Sequence, residues 1–249
     1  MSLKISFLGH ATVLIESNGV TLLTDPVLSN RIFWLKRQSP LPINPGDLPP
    51  LSAILISHAH YDHLDLPSFK YIPSRVPVIV PPELKKLVSK TLKNPVMELK
   101  TGETFSVAKD LTVKAFPVAH YGFRILPFRY TKCNGYLINL NGHKIFFPGD
   151  TAYRSDFKEL TSEGIDMALM PIGCYQPEWF MKKRHISPAE AIQIFEEIEA
   201  KQMIPIHWGT FQLSTEPLNE PIEWLERLVA EKGIAKKVQI LKPGESFQM

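Results

Sequence analysis

The chain has 249 residues, which is enough for one large domain or two small ones with a substantial buried core. Hydrophobic residues make up 44% of the chain and charged residues 21%, as is typical of a soluble globular protein. A formal net charge of +3 without a block of Lys or Arg argues against nucleic acid as a main partner, and no apolar run approaches the roughly 18 residues needed to cross a bilayer.

The amino-terminal part predicts short strands joined by a tight turn and followed by a long loop. Segments rich in β-branched and apolar residues predict strands at Lys4–Leu8, Thr12–Glu16 and Val20–Thr24. Ser17-Asn18-Gly19 has the composition of a hairpin turn between the second and third strands. Residues 26–50 contain many prolines and no periodicity, which predicts a long loop of the kind that is usually functional.

A buried strand predicted at Ala53–Ile56 leads into the most informative stretch of the chain, His58-Ala-His-Tyr-Asp-His63. Three imidazoles and a carboxylate in six residues are good metal ligands and poor packing material, since imidazole suits zinc and iron and carboxylate accepts a wider range of ions. The stretch follows a strand, which is where open α/β sheets place their sites. The alternative is a polar loop whose histidines are solvated.

The rest of the chain alternates helices and strands. Helices are predicted near Leu66–Tyr71, at Pro82–Lys90, near Ser155–Ser162, from Ser187 and from about Pro217 to Glu231. Strands are predicted at Val76–Val80, Val96–Leu99, Thr104–Val107, Leu111–Pro117, Gly135–Leu140, Lys144–Phe147, Asp166–Met170, Met203–Ile206 and Val238–Leu241. Asn141-Gly142 is a strong hairpin signal, and Ser187-Pro-Ala-Glu190 is a capping box. This order predicts an α+β fold with two sheets packed face to face between helices.

Three further metal-ligand residues also follow predicted apolar strands. His120 follows Val113–Ala119, Asp150 follows Ile145–Pro148 across a glycine, and His207 follows Ile204–Ile206. For each of them taken alone, a structural role is the alternative. Together with the stretch from His58 to His63, they indicate one shared cleft.

The motifs resemble those of the metallo-β-lactamase superfamily and, within it, those of N-acyl-phosphatidylethanolamine-hydrolysing phospholipase D and its microbial relatives. The matching segments are Leu8–Thr12, Thr24–Pro26, Leu55–Asp65, Pro148–Thr151, Pro171–Gly173, Pro177–Lys182, His185 and Ile206–Phe211. The resemblance implies a four-layer αββα sandwich with two mixed β-sheets and outer helices, formed by residues 1–249 as a single domain. Tyr121–Asn134 departs from the pattern, which leaves the substrate open.

The resemblance also implies a site for two divalent metal ions. It assigns to the first ion His58, His60 and His120, and to the second Asp62, His63 and His207, with Asp150 bridging. Zinc is the favoured metal, with manganese and iron as alternatives. Two such ions can hold a bridging hydroxide that attacks phosphorus or a carbonyl carbon. Asp62 could orient this nucleophile as well as ligate.

Four other polar residues are possible neighbours of the metal site. His10 and Asp25 end early strands and could support ligating histidines, although His10 could equally be a hydrogen-bonded core residue. His185 precedes the Ser187 helix cap and could bind a substrate phosphate or protonate a leaving group, with an exposed loop histidine as the alternative. His143, beside the Asn141-Gly142 turn, is expected to be solvated.

The role of two apolar loops can be interpreted in more than one way. Arg31–Arg37 places Phe33, Trp34 and Leu35 between cationic residues. Such a segment could rest on an anionic membrane surface or roof an acyl-chain groove, and it could equally pack into the core. Pro177–Met181 carries the same ambiguity.

The favoured function is that of a metal-dependent hydrolase acting on a phosphodiester, such as an N-acylethanolamine phospholipid. The alternative is a lactonase or sugar-phosphate hydrolase on the same scaffold. The expected substrate is a small or lipid-derived molecule; nucleic acid is not expected, peripheral membrane contact remains open, and the oligomeric state is left open. The amino terminus lacks the pattern of a signal peptide, and Cys133 and Cys174 are expected to be reduced, which favours the cytoplasm.

Overall fold

Two large β-sheets form the interior of the computed structural model, which describes residues 2–124 and 129–249. The strands are β1 (Lys4–Gly9), β2 (Thr12–Ser17), β3 (Val20–Thr24), β4 (Arg31–Ile32), β5 (Leu35–Lys36), β6 (Ala53–Leu55), β7 (Val78–Val80), β8 (Val96–Glu98), β9 (Thr104–Ala108), β10 (Leu111–Phe116), β11 (Gly122–Arg124), β12 (Arg129–Thr131), β13 (Gly135–Leu140), β14 (His143–Phe147), β15 (Met167–Pro171), β16 (Gln202–Ile206) and β17 (Ser246–Gln248).

Each large sheet has an antiparallel part and a parallel part. The first has the order β17-β1-β2-β3-β6-β7-β8, and its pairs are antiparallel up to β3 and parallel beyond it. The second has the order β16-β15-β14-β13-β10-β9, with parallel pairs from β16 to β14 and antiparallel pairs after them. Two short hairpins, β4-β5 and β11-β12, lie outside these sheets.

Several helices cover the outer faces of the two large sheets. The α-helices are α1 (Leu84–Val88), α2 (Glu178–Met181), α3 (Pro188–Glu197) and α4 (Glu220–Lys232), and 3-10 helices form at Pro45–Asp47, Leu66–Tyr71 and Ser155–Glu163. The Ser187 capping box starts α3 as expected, with Ser187 accepting from the N–H of Glu190. No helix within the described ranges is long and apolar enough to cross a membrane.

The alternation of side chains along the strands builds the layers. In β6, the inward Leu55 joins a central cluster with Ile138 and Ile204 of the second sheet, while Ile54 points to the outer face of the first sheet. The outer faces pack against α1 on one side and against α3 and α4 on the other. Because buried strands alternate with period two, one strand supplies both layers. The predicted α+β sandwich with two mixed sheets and outer helices is therefore confirmed.

The predicted strand at Val238–Leu241 is wrong. Val238 makes only an isolated bridge with Met203, and the chain then crosses to the first sheet, where β17 pairs with β1. Pro243 has no N–H to donate to a ladder, and Gly244 instead donates to the carbonyl of Phe7. The last strand therefore joins the edge of the other sheet.

Several helix boundaries also differ from the sequence expectation. Glu83 has a left-handed backbone (φ 73°), so α1 begins at Leu84 rather than at Pro82. Leu66–Tyr71 and Ser155–Glu163 form 3-10 helices instead of α-helices. The short strands of the two small hairpins and α2 are not predicted by the sequence pattern.

Candidate metal centre

Seven of the eight histidines converge with three aspartates in one cleft. The residues that meet there are His10, Asp25, His58, His60, Asp62, His63, His120, Asp150, His185 and His207. Most of them follow a strand: β1 precedes His10, β3 precedes Asp25, and β16 precedes His207. His143 is half-buried in β14 and belongs to neither group of metal-ligand atoms found among the described residues.

Left-handed backbone turns aim three of these side chains into the cleft. His10 (φ 57°), Asp25 (φ 33°) and His207 (φ 61°) each follow the last residue of a strand. Such a conformation is strained for residues other than glycine and costs about 1–3 kcal/mol where it occurs. The surrounding contacts hold it: the N–H of His207 donates to the carbonyl of His10 at 2.8 Å, and the N–H of His10 donates to Thr210 Oγ1 at 2.8 Å.

One group of ligand atoms comes from His58, His60, His120 and Asp150. His60 Nδ1 lies 2.9 Å from His58 Nε2 and 3.2 Å from His120 Nε2. Asp150 Oδ2 lies 3.8 Å from His58 Nε2 and 3.9 Å from His120 Nε2. Ligands at zinc–nitrogen bond lengths on a tetrahedral ion are about 3.3 Å apart, so these separations suit one ion.

A second group of ligand atoms comes from His10, Asp62, His63 and His207. Asp62 Oδ2 lies 2.9 Å from His10 Nε2, 3.4 Å from His63 Nε2 and 3.6 Å from His207 Nε2. His10 Nε2 is close enough to Asp62 to donate a hydrogen bond to its carboxylate, which is the supporting role considered for this residue.

Asp150 connects the two groups. Its Oδ1 lies 3.2 Å from His207 Nε2, and its Oδ2 lies 3.2 Å from His63 Nε2. The same Oδ2 faces His58 and His120 of the first group. This is the place that the resemblance assigned to a bridging carboxylate. The structure therefore brings together all seven residues proposed as ligands, and their metal-binding role remains a proposal.

Hydrogen bonds fix the orientation of the histidine rings. His63 Nδ1 lies 2.7 Å from Asp25 Oδ2, and His120 Nδ1 lies 2.9 Å from the carbonyl oxygen of Arg184. When Nδ1 donates its proton to such an acceptor, the lone pair of Nε2 is left for a metal ion. Asp25 therefore has the supporting position expected of it.

The protonation pattern of the cleft suits cation binding. Burial, followed by the nearby histidines, lowers the pKa of His58 well below its ordinary range, and burial likewise lowers that of His120. Burial opposes the ionisation of Asp62 and Asp150, but the surrounding histidines outweigh it and hold the pKa of both carboxyls well below the usual range. Although burial opposes it, the nearby carboxylates, Asp150 above all, raise the pKa of His63 well above its ordinary range and that of His207 to about 9. Neutral imidazoles and ionised carboxylates are the forms that ligate metals, so a bound cation would displace protons from these two rings.

Buried atoms without partners test whether a metal fits. His63 Nε2, His207 Nε2 and Asp150 Oδ1 are all buried and lack a hydrogen-bond partner. An unsatisfied buried polar atom typically costs about 1–3 kcal/mol, and three facing one another are hard to explain as packing. A divalent cation would satisfy all three, so the residues present fit the implied metal ions.

His185 closes one side of the cleft. It is only 8% exposed, so the alternative of an exposed loop histidine is wrong. Its Nδ1 lies 3.7 Å from Asp150 Oδ2, and its ring centre lies 5.1 Å from that of His120. Burial, the largest effect, lowers the pKa of His185 to about 4. The side chain is therefore a neutral imidazole close to the point where the two groups meet.

Two residues that support the ligand loop were not identified from the sequence. Ser57 Oγ lies 2.6 Å from Asp25 Oδ2 and 2.9 Å from His58 Nδ1, so it connects the two side chains.

Arg124 in β11 is 4% exposed and donates a hydrogen bond to the carbonyl of Leu64. Its guanidinium carbon lies 4.0 Å from the centre of the Tyr61 ring. Arg124 lies in the segment Tyr121–Asn134 that departs from the family pattern, and residues 125–128 of that segment lie outside the described residues. Ser57 could have been found as the polar residue that ends the strand before His58.

The two apolar loops lie at the surface. Trp34 is 74% exposed and Phe33 49%, although Phe33 contacts the ring of Tyr61 at 4.0 Å. Core packing is therefore wrong for Trp34 and Phe33, while Leu35 packs against a small cluster. In the second loop, Trp179 is 82% exposed and Phe180 47%. The two buried cysteines are free.

Comparisons with known proteins agree with this geometry. A profile described as the Beta-lactamase superfamily domain matches residues 21–208. The chain is 36% identical, over 90% of its length, to N-acyl-phosphatidylethanolamine-hydrolyzing phospholipase D 1 of Caenorhabditis elegans, and spans 69% of that protein. It is also 36% identical, over 92% of its length, to the mitochondrial N-acyl-phosphatidylethanolamine-hydrolyzing phospholipase D of Saccharomyces cerevisiae, but spans only 52% of it. The crystal structure of a possible metal-dependent hydrolase from Veillonella parvula has the same fold, with a TM-score of 0.82 at 16% identity over 99% of both chains.

Gly173 lies against the backbone of His207, and a side chain there is expected to displace this histidine. A Cβ at position 173 would lie 2.2 Å from the carbonyl oxygen of His207, which cannot rotate away. We expect Gly173→Ala to reduce the divalent metal retained after dialysis and to lower the free energy of unfolding by about 1–3 kcal/mol. Elemental analysis and urea unfolding measure the two effects. Gly46→Ala is the control, because its Cβ would meet only the side chain of Asn44 at 3.8 Å. Undiminished metal content in Gly173→Ala would contradict the assignment of His207.

Proposed function

The chain belongs to the metallo-β-lactamase superfamily and is a metal-dependent hydrolase, and from this premise we propose that it hydrolyses a phosphodiester with two divalent ions, zinc being the favoured metal. The observation that carries the proposal is the pair of ligand groups joined by Asp150. Two ions held in this way are typical of enzymes that cleave phosphate esters. The names of the worm and yeast relatives, both phospholipases D, support the same reaction class.

The two metal ions, when bound, would supply a hydroxide nucleophile near neutral pH and would offset the negative charge that develops on the phosphate. His58, His60 and His120 would hold one ion, and Asp62, His63 and His207 the other, with Asp150 between them. Burial excludes water from most of these side chains and fixes them before the substrate arrives. The chain therefore contributes a preorganised site rather than a covalent nucleophile.

Asp62 and His185 are the side chains that we propose act on the substrate or nucleophile. Asp62 Oδ2 is fixed by His10 at 2.9 Å, which lets the carboxylate orient the nucleophile from one side. His185, on the side of Asp150, would donate a hydrogen bond to a phosphate oxygen or to the leaving oxygen. In the hydrolysis, oxygen from water bonds to phosphorus, the ester P–O bond breaks, and the released alcohol takes up a proton.

We further propose that the substrate is lipid-derived and that the enzyme contacts the membrane surface. Exposed aromatic residues occur in two loops, Phe33 with Trp34 and Trp179 with Phe180, and Phe33 reaches Tyr61 of the ligand loop. Lys36 and Lys183 are exposed in or near the same loops. Aromatic rings beside cationic side chains suit the interface of an anionic membrane.

A direct assay separates phosphodiesterase activity from lactonase or sugar-phosphate hydrolase activity. The zinc-loaded or manganese-loaded protein should hydrolyse bis(p-nitrophenyl) phosphate and leave lactones and sugar phosphates unchanged. Replacing His185 by Ala should lower kcat by roughly 100-fold, as expected for loss of a hydrogen-bond donor to the charge that develops on the phosphate or leaving oxygen. His143→Ala, outside the cluster, should keep the activity. Turnover of only a lactone or a sugar phosphate would show that the alternative is correct.

Vesicle binding tests the membrane contact. The protein should sediment with anionic phosphatidylglycerol vesicles and bind neutral phosphatidylcholine vesicles weakly, and its tryptophan fluorescence should shift to the blue. The double variant Trp34→Ser and Trp179→Ser should lose most of this binding. Tyr71→Ser is the control, because Tyr71 is also an exposed aromatic residue but lies outside the two loops, next to Lys70. Equal sedimentation of the wild type and the double variant would refute this contact.

A further inference from the structure

A cavity opens beside His185. Its volume is about 270 Å³, and the residues that shape it include Tyr175, Glu178, Lys182, His185, Glu190 and Trp224. Ligand pockets for drug-sized molecules measure roughly 300–1,000 Å³, so this cavity is suited to a small group rather than to a long acyl chain. It lies outside the two groups of metal-ligand atoms, and the superfamily assignment gives it no role.

Two aromatic rings form one wall of the cavity. The rings of Tyr175 and Trp224 lie 5.4 Å apart at 73°, in an edge-to-face arrangement. The hydroxyl of Tyr175 donates a hydrogen bond to Glu220 Oε1 at 2.7 Å. This bond fixes the orientation of the Tyr175 ring and places a carboxylate beside it. Fixed aromatic faces attract organic cations through the electrostatic field of the ring.

The charged side chains of the cavity have an excess of carboxylates. Glu178 and Glu190 line it, and the one ammonium group among the described lining residues, that of Lys182, pairs with Glu178 at 3.0 Å, so these two charges offset each other and the carboxylate of Glu190 is left in excess. Glu190 Oε2 accepts from the N–H of Ser187 at 2.8 Å, so one of its carboxylate oxygens is held by the helix cap. The electrostatic environment therefore favours a positively charged guest.

The position of His185 connects the cavity to the candidate metal centre. Its Nδ1 faces Asp150 Oδ2 at 3.7 Å, and the same residue lines the cavity. A phosphate at the centre that contacts His185 would therefore direct one of its ester groups toward Tyr175 and Trp224. If His185 donates to the leaving oxygen, that ester group is the leaving alcohol.

We propose that this cavity binds the leaving alcohol and selects an alcohol that carries a free ammonium group, primary or quaternary. The inference rests on the proposed phosphodiesterase function and specifies its substrate class. Aromatic rings and carboxylates recognise the cation, and the small volume disfavours an N-acylated amino alcohol, which has neither the charge nor the size that fits. The products are a phosphomonoester and a free amino alcohol.

Paired substrates test the selection directly. The metal-loaded chain is assayed with glycerophosphocholine and glycerophosphoglycerol, which share the glycerophosphate part and differ in the charge of the other alcohol. We expect kcat/KM to be about tenfold higher for the choline ester, which corresponds to one desolvated cation–π contact. Trp224→Leu should bring the ratio close to one, and Trp224→Phe, which keeps a ring, should retain most of it.

A second pair of variants tests how much the carboxylate of Glu178 contributes to the selection, and it leaves the aromatic rings of the cavity intact. Glu178→Gln should lower the ratio about two- to fivefold, because it removes an exposed carboxylate at the cavity. Glu196→Gln is the matched control, since Glu196 forms a similar exposed pair with Lys232 at 3.0 Å. A ratio unaffected by Glu178→Gln, or lowered equally by both substitutions, would argue against the electrostatic selection.

The possible outcomes separate the inference from the function on which it rests. Hydrolysis of both esters at equal kcat/KM would overturn the selection and leave the phosphodiesterase intact. If no phosphodiester is hydrolysed, the proposed function fails, and calorimetric titration of the metal-loaded protein with choline decides the cavity by itself. Choline binding that Trp224→Leu removes would support the cation site, and no heat of binding would overturn it.

Discussion

The structure depends on a buried carboxylate that is surrounded by imidazole nitrogens. Asp150 is 2% exposed and faces His58, His63, His120 and His207 at 3.2–3.9 Å. A charged carboxylate in such a dry environment is stable only when positive charge lies next to it. Protons on the histidines can supply that charge in part, but they leave Nε2 atoms of two rings and one carboxylate oxygen unsatisfied. Divalent cations would satisfy all of these atoms at once.

The two sheets are needed because neither contributes all of the proposed ligands. His10 and the loop from His58 to His63 follow strands of the first sheet, whereas Asp150 and His207 follow strands of the second. The hydrogen bond from the N–H of His207 to the carbonyl of His10 joins the two sheets at the cleft. The strained backbone at both residues is maintained by this tie and by the buried core beneath it. The site is therefore complete only when the two sheets are packed together.

The sequence predicted the parts of this arrangement that depend on local patterns. Alternating apolar residues indicated β1, β2 and β3, and the strands that precede the ligand residues predicted a common cleft. What it could not predict depends on distant contacts. Arg124 is recognisable only when β11 is seen to pack on Tyr61 and Leu64, and the closing strand was misplaced because β17 pairs with the opposite end of the chain. The single domain expected over residues 1–249 remains a prediction, supported by a core to which both sheets contribute.

Locating the metal in crystals of protein purified without added metal decides whether the two groups of ligand atoms hold two divalent ions. Elemental analysis combined with anomalous scattering at the absorption edge of the metal gives both the number and the position of the ions. We expect two anomalous peaks, one among His58, His60 and His120 and one among Asp62, His63 and His207, with Asp150 between them. A cleft without anomalous signal after soaking in zinc and manganese, or imidazoles that point away from one another, would contradict it.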